Sequence, residues 1–481
     1  MYRLMLYYLI LLWVISLVLS ATGLIPYHPI DILLQGLTFL IVCHFTNLLF
    51  AKIFQASTNL ESSLITALIL TLIVGPISFP QNTLTIFLIG TIAMASKYLV
   101  AAKKKHLFNP AAFAVLISAF LLNTGASWWI GIPPLLPFIL LGGLIILIKI
   151  KRFELVLSFI TLTVIGNLLT QGHLDPTLLP PALWFFALVM LVEPLTSPST
   201  KRPQIIFGFS VALFTLLIPK VYSTYPYPLE TALLLGNLFT AIVSPTFNLI
   251  LKFRKKELVA ENSWALFFEP LGNINFTPGQ YLEWTYPHPH PDSRGVRRYF
   301  TISSSPQEPL IMVTLKLPPS PSTFKQALLN LKEGQEIVAS SPKGDFTLPQ
   351  DTTIPLCFIA GGIGVTPFRS MLKDLLDRQE KRPITLLYSN SNETEVAFKP
   401  LFDEVKKLGV ITIFVNTKQD GYIDTHMIQE KVPHYRQTLF YISGPEPMVQ
   451  TFKKMLQGLK VTGIKTDFFP GYTDTHQKGK L

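Results

Sequence analysis

The apolar residues of this chain gather into ten long stretches ahead of residue 252, centred near 4–22, 30–51, 62–78, 83–101, 110–125, 131–150, 153–170, 180–195, 204–219 and 229–251. Nothing comparable follows. A run of about 20 apolar residues is what a helix needs to cross a bilayer, and within lipid only a helix or a closed barrel satisfies its own backbone. Of 481 residues, 49% are hydrophobic and 14% charged, with a mean hydropathy of +0.42, too apolar for a water-soluble enzyme of this length. Residues 1–256 therefore read as a polytopic α-helical membrane domain of about ten helices. Residues 1–22 read as the first of them rather than a cleaved leader, because the run is long and further apolar stretches follow at once.

Basic residues set the expected orientation. With ten spans, fifteen of the sixteen Lys and Arg residues up to position 256 fall on one face, and only Lys220 falls on the other. That places the N-terminus and everything after Lys256 in the cytoplasm of a multi-pass cell-membrane protein. The net charge of +11 is thus partly an orientation signal. No basic and aromatic interleaving points to nucleic acid, which is not an expected partner. Phe253-Arg254-Lys255-Lys256 reads either as a stop-transfer flank or as a patch for anionic headgroups. Two cysteines, Cys43 and Cys357, are too few for a Cys-ligated iron–sulfur cluster, and no metal site is expected.

From Glu257 the chain changes to short alternating stretches such as Trp264–Phe268 and Leu310–Leu315, which fit a small antiparallel β-barrel over 257–350. Over 351–475 strands alternate with helices, the pattern of a parallel α/β domain with ligands at the strands' carboxyl ends; 476–481 form a tail. Within that second domain, the apolar run Pro355–Ala360 opens into Gly361-Gly362-Ile363-Gly364-Val365-Thr366-Pro367. Glycines there let backbone N–H groups approach an anion at a helix N-terminus. A tight connection without a ligand would use the same residues.

Three further elements accompany this turn in order: Arg298-Tyr299-Phe300-Thr301-Ile302-Ser303-Ser304, then Tyr441-Ile442-Ser443-Gly444-Pro445, then Phe469-Pro470-Gly471-Tyr472. Together they resemble the ferredoxin–NADP reductase superfamily over roughly 257–475. The resemblance implies that FAD is held by Arg298 at phosphate, Phe300 at the ring face and Thr301 near the reactive nitrogen, with Tyr299, Ser303 and Ser304 beside them. It implies that Gly361, Gly362, Gly364, Thr366 and Pro367 receive NADPH or NADH, that Gly444 and Pro445 open the sheet edge, that Thr301 and Ser443 flank the chemistry, and that Tyr472 covers the flavin. Relatives more often carry Tyr at the Phe300 position and Cys at the Ser443 position. Ser389-Asn390-Ser391-Asn392 ends the 384–388 strand without an acidic residue, which favours NADPH.

In the membrane half, Ser96-Lys97-Tyr98 with Lys103–Pro110, and Glu193-Pro194-Leu195-Thr196-Ser197-Pro198-Ser199-Thr200-Lys201-Arg202, resemble motifs of the NqrB/RnfD family, the membrane components shared by the sodium-translocating NADH:quinone reductase and the Rnf complex. That family carries FMN on a threonine through a phosphoester bond. By position Thr200 is the covalent FMN candidate, with Thr196 and Ser199 as alternatives; a helix-breaking turn accounts for the same residues. Here Glu193 stands where the family has Asp. It reads either as an ion-handling group or as a helix-end carboxylate. The family's inverted repeat would place the two motifs on opposite faces, whereas the ten-span count places both on the basic one.

The expected function is a membrane-bound NAD(P)H-dependent flavin oxidoreductase, passing electrons through FAD to a membrane flavin, quinone or redox protein. A redox-driven sodium or proton translocator is the alternative. A ferric reductase or NADPH oxidase type with haem is disfavoured, because His28, His44, His106 and His173 are not repeated at helix-spanning spacing.

Overall fold

The computed structural model describes residues 2–54, 60–78, 82–102, 105–171, 179–198, 200–243, 248–292 and 295–467. It divides into two units, Met1–Phe247 and Asn248–Leu481. In the first, each of the ten apolar stretches contains a helix: α1 (Tyr2–Ala21), α2 (Pro29–Ile53), α3 (Leu60–Ile73), α4 (Thr83–Leu99), α5 (Pro110–Leu122), α6 (Leu136–Ile150), α7 (Phe153–Gln171), α8 (Pro181–Phe185), α9 (Lys201–Val221) and α10 (Pro228–Val243). Among the described residues, four helical segments are long and apolar enough to span a bilayer: α1, α2, Pro133–Ile150 and α9. Proline opens α2, α5 and α8, where its missing N–H costs nothing. A short antiparallel pair, β1 (Ala101–Ala102) with β2 (Lys105–His106), joins α4 to α5.

Apolar side chains point both ways in this unit. Leu9, Phe39, Phe159, Phe185, Phe186 and Phe207 form its core, while Leu11, Phe45, Leu141 and Ile206 are exposed on the outer faces. Helices apolar on all sides belong in lipid. α8 is a broken helix that passes through a π-helical turn, Phe186–Met190, with every residue of that turn buried. Single π turns inside helices are frequent at functional sites.

The last apolar stretch does not extend to residue 251 as a helix. α10 ends at Val243, and strand β3 (Asn248–Ala260) begins before the expected boundary at 256. Leu249, Leu251 and Phe253 alternate inward with Ile250 and Lys252, a period of two that the continuous apolar run conceals. Arg254 accordingly belongs to a strand and pairs with Glu269.

The second unit starts with six antiparallel strands, β3, β4 (Ser263–Pro270), β5 (Tyr281–Thr285), β6 (Arg297–Thr301), β7 (Ile311–Lys316) and β8 (Glu336–Ser340), in the order β6-β5-β8-β3-β4-β7. A bridge between Ile302 and Val313 joins the two outer strands and closes the sheet into a barrel. Helix α11 (Thr323–Leu329) is capped by the Ser322 hydroxyl. A second sheet follows, entirely parallel, ordered β11-β10-β9-β12-β13 from β9 (Leu356–Gly361), β10 (Ile384–Asn390), β11 (Ile411–Asn416), β12 (Leu439–Ser443) and β13 (Ile464–Thr466). Helices α12 (Thr366–Asp377), α13 (Lys399–Glu404), α14 (Thr425–Lys431) and α15 (Glu446–Gly458) connect its strands. β9 is buried on both sides: Phe358 and Ala360 face one core, Cys357 and Ile359 the other. Strand order reverses between β9 and β12, and ligands of open α/β sheets bind at such a reversal.

Candidate functional site

The glycine turn leaves β9 at the reversal point and meets the end of β12 in van der Waals contact. A Cβ on Gly364 would stand 2.5 Å from the Ser443 carbonyl oxygen and 2.6 Å from Gly444 Cα; one on Gly361 would stand 2.2 Å from Met448 Sδ. Gly362 has φ +52°, a left-handed conformation. Side chains are thus excluded where the two strand ends converge, and α12 begins directly behind with Thr366 and Pro367 buried. The result is a cradle of backbone N–H groups at a helix N-terminus, suited to a pyrophosphate.

The barrel is fastened beside this cradle. Arg369 of α12 donates to the Ser303 carbonyl at 2.9 Å and makes a forked pair with Glu308, while the Ser370 hydroxyl donates to the Ser304 carbonyl at 2.6 Å. Ser303 and Ser304 are fully buried, and their hydroxyls accept from the Thr314 hydroxyl and the Met312 N–H. Lys316 of β7 meets Glu395, beyond β10, at 2.9 Å. Burial opposes ionisation of Glu395, but the Lys316 ammonium and the Ser391 hydroxyl outweigh it and hold the carboxyl below its ordinary range.

β6 carries the aromatic and cationic residues. The buried Arg298 donates to Asp292 Oδ1 at 2.7 Å and to the Gly295 and Arg297 carbonyls at 3.0 and 2.7 Å, and lies over the Phe324 ring at 5.1 Å. Phe300, half-buried, packs against the same ring with centroids 6.2 Å apart. Tyr299 meets Tyr281 edge-on at 5.6 Å. At the end of the strand the Thr301 hydroxyl donates to Asp467 Oδ2 at 3.4 Å, and the Ser443 hydroxyl donates to the same oxygen at 3.2 Å.

Asp467 therefore joins the two segments. It follows β13, a strand of three residues too short for a periodicity signal, and its only sequence cue is its place just ahead of the Phe469–Tyr472 element. Phe469 and Tyr472 lie outside the described residues. Pro445 is exposed beside Gly444.

In the membrane unit the two motif stretches meet each other. Asn109 is buried; its Oδ1 caps α5 through the Ala111 and Ala112 N–H groups, and its Nδ2 donates to Glu193 Oε2 at 2.8 Å. The Thr196 hydroxyl donates to the same oxygen at 3.0 Å, and His106 Nε2 stands 3.7 Å from Glu193 Oε1. Asn237 of α10 links both stretches, accepting from the Asn109 N–H at 2.9 Å and donating to the Thr196 carbonyl at 3.1 Å. A cavity of about 60 Å³, lined by Tyr2, Ser62, Thr66, Asn109, Ile146 and Glu193 among others, opens beside this cluster. Thr200 is half-buried at the N-cap of α9 without a side-chain capping bond. Lys103, Lys104, Ser199 and His173 lie outside the described residues.

Residues 358–454 match the oxidoreductase NAD-binding domain, and residues 134–248 match the NQR2, RnfD, RnfE family. The chain is 26% identical over 251 residues to a flavohemoprotein of Bacillus thuringiensis subsp. konkukian, covering 46% of this chain and 60% of that one. It is 30% identical over 231 residues to flavohemoprotein B of Dictyostelium discoideum, covering 43% and 55%. The chain thus spans less than two thirds of the length of these relatives. Solved structures that resemble it include the Amycolatopsis cytochrome P450 reductase GcoB, at TM-score 0.42 and 21% identity over 47% of this chain and 70% of that one. Another is the FAD/NAD binding domain of nitric oxide dioxygenase from Vibrio cholerae, at TM-score 0.40 and 21% identity over 46% and 98%. The chain thus carries a segment similar to the NQR2, RnfD, RnfE family ahead of a segment similar to the oxidoreductase NAD-binding domain.

Proposed function

We propose that this protein is a membrane-bound NAD(P)H-dependent flavin oxidoreductase that passes electrons to an acceptor in the membrane. The observation that carries this reading is the convergence of Thr301, Ser443 and the Gly361–Gly364 turn through Asp467 and the Gly364–Gly444 approach. The donor set fits FAD on the barrel side and a nicotinamide dinucleotide on the sheet side. When bound, FAD would supply the conversion of a two-electron hydride donor into single electrons.

The chain's own residues have distinct tasks. Arg298 supplies a buried cation for phosphate, with Asp292 as its present partner, and Phe300 offers a flat face. The backbone of Gly361, Gly362 and Gly364 takes the pyrophosphate, with Thr366 and Pro367 fixing the start of α12. Asp467 holds the Thr301 and Ser443 hydroxyls at the junction and with them a proton-exchanging group. Tyr299 braces β6 against Tyr281 of the neighbouring strand β5, and Tyr472 is given a covering role over the flavin. Thr200 is the proposed FMN attachment point in the membrane unit. The basic residues of the first half support a cytoplasmic N-terminus and reductase unit.

The reading is tested on full-length protein purified in detergent. Extraction should release one FAD per chain, NAD(P)H should be oxidised with ferricyanide as acceptor, and intact-mass analysis should show one added FMN that is lost in Thr200→Ala. Absence of FAD together with absence of NAD(P)H oxidation would refute it. Sodium-dependent turnover in proteoliposomes would favour the ion-translocating alternative, for which the half-buried Glu193 carboxylate with its Asn109 and Thr196 donors is the supporting observation.

A further inference from the structure

We infer that the dinucleotide site prefers NADH, a dinucleotide with a free 2′-hydroxyl, over NADPH, and that Asn390, Ser391 and Glu393 set this preference. The inference rests on the proposed reductase reading and deepens it. In a doubly wound sheet the ribose of the adenylate half reaches the end of the strand beside the glycine turn. Here that strand is β10: Ser389 is the register partner of Gly361, one strand spacing of about 4.8 Å away.

Two observations at this strand end point to a hydroxyl-bearing ligand. Asn390 is buried at 5% exposure, yet neither its amide nitrogen nor its amide oxygen has a hydrogen-bond partner of good geometry. On the same strand face the Tyr388 hydroxyl accepts from the Ala397 N–H at 3.2 Å and interacts with the Asn390 carboxamide only outside good hydrogen-bond geometry. A buried carboxamide left unsatisfied calls for an explanation, and one ribose hydroxyl can serve both its donor and its acceptor. The Ser391 hydroxyl stands next to it, donating to Glu395 Oε2 at 3.1 Å with its lone pairs available.

Charge gives the second observation. The turn after β10 carries Glu393 and Glu395, while the nearby cations are committed elsewhere: Lys316 to Glu395 at 2.9 Å, Arg369 to Glu308, and Lys399 over the Phe414 ring at 6.0 Å. Lys418, beyond β11, is exposed next to Asp420, whose carboxylate accepts from the Asn416 N–H at 2.8 Å. Glu393 is exposed at the start of the turn. A 2′-phosphate would bring up to two negative charges to an uncompensated carboxylate, whereas a 2′-hydroxyl would bring a donor that carboxylates accept. The strand-end residues alone favour NADPH; the folded turn adds the exposed Glu393 carboxylate, while Lys316 is taken up by Glu395 and Arg369 by Glu308.

The test measures, on detergent-purified full-length protein, both kcat/KM with ferricyanide for NADH and NADPH and equilibrium binding of the two nucleotides. The expected result is at least a tenfold preference for NADH in kcat/KM and in Kd. Ser391→Arg, alone or with Glu393→Gln, should shift both ratios at least tenfold towards NADPH, and Asn390→Leu should weaken NADH binding about tenfold. Equal or better use of NADPH by the natural protein would overturn the inference while leaving the reductase reading intact. Tighter NADH binding without oxidation would uphold the inference and remove the reductase reading. Binding of neither nucleotide would overturn both.

Discussion

Thr301 at the end of a barrel strand donates to Asp467 Oδ2 at 3.4 Å across a sequence separation of 166 residues, and Ser443 donates to the same oxygen at 3.2 Å. One carboxylate thereby sets the spacing between the proposed flavin strand and the proposed nicotinamide strand. Asp467→Asn keeps the size of the group and removes its charge. It should leave FAD bound and lower the rate of flavin reduction by NADH about tenfold or more, roughly 1.4 kcal/mol or more in barrier, as measured by anaerobic stopped-flow spectroscopy. An unchanged rate would confine Asp467 to a structural role.

Gly364→Ala would place a Cβ 2.5 Å from the Ser443 carbonyl oxygen. Relief requires the two strand ends to part, and overpacking of this kind typically costs about 1–3 kcal/mol. The variant should show a lower Tm and a raised KM for the dinucleotide with FAD content retained, checked by thermal unfolding and steady-state kinetics. Gly409→Ala, where nothing lies within 4 Å of the added Cβ but φ is +84°, should lower Tm without the KM effect.

The pair of Lys316 and Glu395 predicts an acid limb in stability. Because the folded Glu395 carboxyl is held below its ordinary value of 4.5, its contribution is present above that value and is lost as pH falls through the folded one. Lys316→Met should lower Tm near neutral pH, and the gap from the natural protein should shrink as pH drops below 4.5. A gap independent of pH would show that packing, not charge, produced the loss.

The sequence exposes these features unevenly. The glycine turn and the Arg298–Thr301 strand are legible because tight turns and short strands write local residue choices. The convergence of Gly364 on Gly444 depends on strand order, which no local pattern states. Asp467 is hidden for a different reason: a three-residue strand has no readable period. The boundary near 248 is obscured because Leu249-Ile250-Leu251 continues an apolar run, although alternate burial makes it a strand. The ten described helices of the first unit are legible as apolar stretches, although only four helical segments among the described residues have the length of a span, while the contact of Asn109 with Glu193 spans 84 positions and leaves no trace in either motif.

That contact yields a prediction for the membrane unit. Asn109 both caps α5 and satisfies Glu193, so Asn109→Ala removes an N-cap, costing about 0.5–2 kcal/mol, and leaves a carboxylate short of a donor. Detergent-solubilised Asn109→Ala should unfold at lower temperature than the natural protein. Asn109→Asp should be worse still at neutral pH, since it restores the cap but sets two carboxylates together. Equal Tm values for all three would mean that the two stretches are held together by packing alone.

The account's central claim is that the second unit presents a bound flavin to a bound nicotinamide. It is tested most directly by mixing full-length, FAD-loaded protein with NADH under anaerobic conditions and following the flavin absorbance. The account predicts that one equivalent of FAD per chain is bleached at least as fast as steady-state turnover, and more slowly in Asp467→Asn. A protein that binds FAD and NADH yet leaves the flavin oxidised would contradict it.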